Sequence, residues 1–142
     1  MAERIVASAC LCGVQCRYDG RGGMHPHLME LLARGLVIPV CPEVLGGLPV
    51  PRDPCEIRGA AVVDKGGVDR TAAFARGAAA ALGIARECGV TTAVLKERSP
   101  SCGVRFIYDG TFASRLVPGR GLTARLLAEN GIVVISDEAF SL

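Results

Sequence analysis

At 142 residues, half of them hydrophobic, the chain is short enough to be one domain (residues 1–142) and long enough to bury a substantial core. Its net charge of +2 is too small to argue for a large nucleic acid as an electrostatic partner, and no basic run or base-stacking aromatic motif accompanies it. The opening MAERIVASAC lacks the long apolar core of a signal peptide, and no apolar stretch reaches about 18 residues. A soluble, cytoplasmic protein without a membrane partner is therefore expected.

Taken in order, Arg4–Ala9 (RIVASA) reads as a short buried strand ending at Cys10. Leu28, Leu31 and Leu32 form one stripe of an amphipathic helix over Met24–Arg34, and Gly35 stops it. Leu36–Val40 (LVIPV) is a second strand, whose Pro39 calls for a position where no ladder N–H is needed. The next segment, CPEVLGGLPVPRDPCEIRG, is so rich in Pro and Gly that no regular structure is expected, and a loop this long is usually functional. Ala60–Asp64 is a strand. A long Ala-rich helix follows, opening at VDRT with Asp69 as its expected N-cap and running to about Cys88. Thr91–Leu95 is a strand, followed by the loop KERSPSCGV. Phe106–Tyr108 is a short strand, Leu122–Asn130 a helix with Gly131 past its end, and Ile132–Ser136 the last strand. Strands alternating with helices indicate an α/β fold with a mostly parallel sheet.

Seven cysteines are many for such a chain, and the odd count and missing secretion signal speak against a disulfide scaffold. Cys10 follows the first strand, Cys41 the second, and Cys102 lies in the loop after Leu95. In parallel α/β sheets these carboxyl ends share one edge, so three thiols distant in sequence are expected to converge. Such a set suits a soft metal: iron in a cluster, Cu(I), or zinc with Cys16 or Cys12 as fourth ligand. The closely spaced ferredoxin run is absent, and independently reactive thiols remain an alternative. His25 and His27, two residues apart, do not share a helical face and make a poor ligand pair. Asp19 and Asp109 each precede Gly and fit tight turns. No phosphate-loop pattern is present.

The blocks SACLCGVQCRYDG, CPEVLGGLPVPRDPCEI, GVDRTAAFARGA, LKERSPSCG and IYDGTF together resemble the TudS-like thiouracil desulfidase family, in that family's order. The resemblance implies a single-domain, three-layer Rossmann-like fold. It also implies a [4Fe-4S] cluster held by three cysteines, with one iron free to coordinate sulfur. The implied reaction is hydrolysis, without redox change, of a small thiolated nucleobase or nucleoside of the 2- or 4-thiouracil type to uracil and hydrogen sulfide. Carried over by residue, Cys10, Cys41 and Cys102 hold the cluster, with Cys16 able to replace one of them. Glu43, in CPE, is the acid/base that handles the water proton. Ser101 is expected to hydrogen-bond the substrate or the departing sulfur, or else to cap a turn or helix start. Lys96 could supply positive charge to the site, Cys55 could line the pocket, and Cys12 and Cys88 are expected to be packing residues.

Overall fold

The computed structural model describes residues 3–142. Strand β1 (Ile5–Ser8) leads through a 3-10 turn and a long loop to helix α1 (Pro26–Ala33), then to strand β2 (Val37–Val40). Helix α2 (Pro42–Leu45) follows at once, and strands β3 (Cys55–Arg58) and β4 (Ala61–Asp64) pair antiparallel as a hairpin. Helix α3 (Thr71–Glu87), strand β5 (Thr92–Leu95), a second hairpin of β6 (Phe106–Tyr108) and β7 (Leu116–Pro118), helix α4 (Leu122–Glu129) and strand β8 (Val133–Ser136) complete the order.

Strands β2, β1, β5 and β8 pair in that order, all parallel, as one four-stranded sheet. Side-chain alternation along β1 and β5 divides the core into two layers. Val6, Ala93 and Leu95 join Ala81, Leu82 and Ala85 of α3 and Ala124 and Leu127 of α4 on one face. Ala7 and Val94 join Leu28 of α1 with Leu11 and Cys12 on the other. Helices cover both faces of a parallel sheet: the alternation of strands and helices pointed to the parallel α/β sheet, and the family resemblance implied this three-layer Rossmann-like arrangement. Pro39 lies in β2, an edge strand, where its missing N–H costs least.

Two details depart from expectation. The Pro- and Gly-rich segment after Cys41 contains both α2 and β3, and β3 pairs with β4 outside the main sheet. Helix α3 starts one residue later than an Asp69 cap requires: Arg70 is its N-cap, while Asp69 Oδ1 accepts the Thr71 N–H at 2.8 Å. Thr71 is in turn spoken for, its Oγ1 accepting the Val62 N–H at 2.9 Å and tying the helix to β4.

Helix α3 lies very close to α2 because both present glycine. A Cβ on Gly77 would fall inside the Pro42 carbonyl, and one on Gly46 inside the Ala73 carbonyl. These approaches set the position of the residues that follow β2, including Cys41 and Glu43.

Candidate active site

In the sheet, β1 has β2 on one side and β5 on the other, so the chain order reverses at β1. A crevice opens beyond the carboxyl ends at such a point. Here it is a cavity of about 490 Å³, with Cys10, Cys16, Cys41, Cys55 and Cys102 in its wall. Cys10 lies in the 3-10 turn directly after β1, Cys41 is the residue before α2 at the end of β2, and Cys102 belongs to the turn after β5. The structure thus brings together the three thiols that strand order placed at one edge, and Cys16 joins them. Cys12 turns the other way, buried against Leu11 and Leu28, and Cys88 packs against the α3–α4 core.

The loop that carries Cys10 and Cys16 is closed on itself. Gly23 N–H donates to the Cys10 carbonyl at 2.7 Å, and Gly13 N–H donates to the Gly23 carbonyl at 2.8 Å. This brings Cys16 back against the other thiols. Its own thiol is pushed up to about 11, chiefly by contact with the Cys10 thiol, with burial adding and the Cys41 contact opposing. Cys41 is pushed well above the ordinary thiol value by its contact with Cys16 and by burial, and its Sγ donates to the Cys16 carbonyl at 3.8 Å. Burial pushes Cys102 up to about 12 against the opposing effect of the Ser8 and Ser101 hydroxyls. As they stand, these are protonated thiols, and a thiophilic partner would have to displace their protons.

The Cys102 turn is gripped from several sides. Ser99 Oγ accepts the N–H groups of Ser101 and Cys102, both at 3.0 Å. A Cβ on Gly121 would stand 2.8 Å from the Cys102 nitrogen, so only glycine lets the start of α4 lie on this turn. Ser101 is fully buried there. Its hydroxyl meets Thr123 Oγ1 at 2.7 Å and its carbonyl accepts the Thr123 and Ala124 N–H groups. It stands one residue from Cys102 and behind the cavity wall, its hydroxyl shared between Thr123 Oγ1 and the Cys102 thiol. The turn folds back onto α4, so Ser101 also serves at the helix start.

Glu97, just after β5, anchors the rest of that loop. Its side chain is 1% exposed, and Oε1 accepts three backbone N–H groups, from Val104 and Arg105 at 2.8 Å and Phe106 at 3.1 Å. Burial opposes its charge, yet hydrogen bonds from Ser136, Arg105, Phe106 and Val104 outweigh it and hold the carboxyl at about 2. Glu56, buried on β3, does the same for the IYDGTF loop, accepting the Gly110 N–H at 2.9 Å and the Phe112 N–H at 3.1 Å. Two buried glutamates therefore hold two walls of the cavity, those carrying Cys102 and the aromatic residues Tyr108 and Phe112.

Glu43 lines the cavity two residues beyond Cys41. Burial raises its carboxyl above the usual range, against the lowering effect of the Arg52 guanidinium, whose Nε donates to Oε1 at 3.3 Å. Lys96 also lines the cavity, with its Nζ 3.8 Å from Asp137 Oδ2. His25 precedes α1, its Nε2 3.0 Å from the Asp137 carbonyl, and neither it nor His27 reaches the cavity. Asp19 and Asp109 do sit in turns, accepting the N–H groups of Arg21 and Thr111 at 3.0 Å.

Arg52, Glu97, Glu56 and Ser99 carry weight that sequence reasoning did not assign them. The one available signal was their place inside the cysteine-bearing blocks, PVPRDPCEI and LKERSPSCG. The donor set itself is sulfur-rich and contains no histidine, which favours iron or another soft metal. Among the described residues, no three His, Cys, Asp or Glu side chains stand close enough to hold a single ion.

Known proteins resemble this chain. A family model described as 2-thiouracil desulfurase matches residues 5–139. The uncharacterized protein YbbK of Bacillus subtilis (strain 168) is 40% identical over 143 residues, covering 94% of this chain and 95% of that protein. The solved structure of the [4Fe-4S]-dependent thiouracil desulfidase TudS matches with a TM-score of 0.93 at 46% identity, covering 96% of this chain and 92% of that one. On a match that spans nearly its whole length, this chain belongs to the 2-thiouracil desulfurase family.

Proposed function

We propose that this protein is an iron–sulfur desulfidase that hydrolyses the C=S group of a thiolated pyrimidine, giving the carbonyl product and hydrogen sulfide. The observation that carries the reading is the cavity in which thiols from three strand ends meet the carboxylate of Glu43. Cys10, Cys41 and Cys102 are the residues that would hold the [4Fe-4S] cluster, one from the end of each of three parallel strands. Cys16, in contact with Cys10 and Cys41, is the alternate ligand. When bound through three thiolates, such a cluster supplies an open iron that acts as a soft Lewis acid toward sulfur.

The remaining work falls to the chain. Tyr108 and Phe112 offer aromatic faces to a flat pyrimidine ring, and Glu56 keeps that wall in place. Glu43 accepts one proton of a water molecule as its oxygen attacks the thiocarbonyl carbon and returns it to the sulfur. As the C–S bond breaks and the carbonyl forms, the hydroxyl proton leaves through the same carboxylate and ends on the departing HS⁻ as hydrogen sulfide. Burial raises the Glu43 carboxyl above the usual carboxylate range, against the lowering effect of Arg52, which suits a group that must both take and give a proton. The balance is water plus C=S to C=O plus hydrogen sulfide, with no electron transferred. Ser101 acts behind the wall, holding the Cys102 turn on α4.

The test is anaerobic reconstitution with iron and sulfide, followed by assay of hydrogen sulfide and uracil from 2- and 4-thiouracil. Wild type is expected to release both products in equal amounts. Glu43→Ala is expected to keep its iron and lose activity by roughly 10²–10⁴-fold, the usual contribution of a positioned acid/base. Iron-loaded wild type that releases no sulfide from either compound, or a fully active Glu43→Ala, contradicts the reading.

A further inference from the structure

Arg52 lies in the cavity wall, yet its side chain is only 6% exposed. Each of its three guanidinium nitrogens has a protein acceptor. Nε donates to Glu43 Oε1 at 3.3 Å, Nη2 to the Cys16 carbonyl at 3.0 Å, and Nη1 to the Pro49 carbonyl at 3.0 Å. Its own backbone N–H donates to the Tyr18 carbonyl at 2.8 Å. One residue thus joins three separate stretches: the Cys16–Tyr18 loop, the α2 segment with Glu43, and the Pro-rich segment before β3. A planar fork is needed for this, since the acceptors lie in different directions around one group.

The Cys16 carbonyl has two side-chain donors, Arg52 Nη2 and the Cys41 thiol. Of the two, Arg52 makes the closer contact, 3.0 Å against 3.8 Å for the thiol. The same guanidinium then fixes both the loop beside the thiols and the carboxylate two residues from Cys41.

We infer that Arg52 is a positioning residue that acts through Glu43, clamping its carboxylate against the Cys16 loop, and does not bind substrate itself. The inference rests on the proposed proton-handling role of Glu43. Three of its five N–H groups are held by protein acceptors and the side chain is 6% exposed, so Arg52 offers an incoming ligand little accessible surface; what it supplies is aim. Misplacing a catalytic group by about 1 Å costs on the order of 10²-fold in rate.

Arg52→Gln and Arg52→Lys separate these roles, assayed beside Glu43→Gln after anaerobic reconstitution. Iron content, visible absorption, kcat and KM for 2-thiouracil are measured for each. Arg52→Gln is expected to lower kcat by on the order of 10²-fold with KM within about twofold of wild type. Arg52→Lys keeps the charge but not the fork, and is expected to lose about tenfold in kcat. Both are expected to bind iron as wild type does. A wild-type kcat in Arg52→Lys, with Glu43→Gln impaired, overturns the Arg52 proposal alone. A raised KM at unchanged kcat overturns it in favour of direct substrate binding, and loss of iron in both variants overturns it in favour of a structural role. A fully active Glu43→Gln overturns the Glu43 reading on which it rests.

Discussion

Replacing Glu97 by glutamine removes the charge on which the loop after Cys102 depends. Oε1 gathers three backbone N–H groups and Oε2 lies 3.3 Å from Arg105 Nε, all at a side chain 1% exposed. The folded carboxyl titrates at about 2 against an ordinary 4.5. That difference corresponds to on the order of 3 kcal/mol of stability. Because the folded value is lowered, this stability is fully present above pH 4.5 and drains away as pH falls through about 2. Urea unfolding of the reduced, metal-free chain reads it directly. Glu97→Gln is expected to be less stable than wild type by on the order of 3 kcal/mol at pH 7, the gap narrowing steadily below pH 4.5. The reasoning is refuted by a gap that does not change between pH 7 and about pH 3, or by one too small to measure at pH 7.

Other substitutions probe the walls of the cavity. Gly77→Ala puts a Cβ into the Pro42 carbonyl, so α2 must move; a loss of about 1–3 kcal/mol in urea unfolding is expected, together with weaker iron retention through Cys41. Cys12→Ala is expected to retain iron fully, losing only the modest packing energy of a buried thiol in the α1-side core, as iron assay and thermal melting would show. Glu56→Ala leaves the Gly110 and Phe112 N–H groups without their acceptor, and steady-state kinetics should show KM for 2-thiouracil rising more than kcat falls. Ser101→Ala leaves the Thr123 hydroxyl unpaired in the core; it should lower stability by about 1–3 kcal/mol while keeping substantial turnover.

The main sheet could be read from the sequence because each of its strands is a short apolar run, and α1, α3 and α4 each end just before a glycine, Gly35, Gly89 and Gly131. The same runs located the site, since Cys10 and Cys41 stand directly past two of them. Strand β3 could not be read that way. Pro49, Pro51 and Pro54 crowd the approach to Cys55 and mask the strand, and its pairing with β4 stands apart from the main sheet. Glu97 and Arg52 were hidden for a different reason. A charged residue among other charges reads as solvated surface, and only the tertiary fold brings the backbone N–H or carbonyl groups that make its burial tolerable. Ser101 could be placed beside Cys102 by adjacency, but its burial could not be read, because Gly121 lets α4 close over it.

The claim that matters most is that thiols from three separate strand ends together hold one iron–sulfur group. Its most direct test is iron and acid-labile sulfide in anaerobically reconstituted wild type and in the single variants Cys10→Ser, Cys16→Ser, Cys41→Ser, Cys102→Ser and Cys12→Ser. Wild type should be brown with equal iron and sulfide, the Cys10, Cys41 and Cys102 variants should each lose the colour, and the Cys12 and Cys16 variants should keep it. Colourless wild type carrying stoichiometric zinc, or a Cys102→Ser protein with its iron intact, would contradict the account.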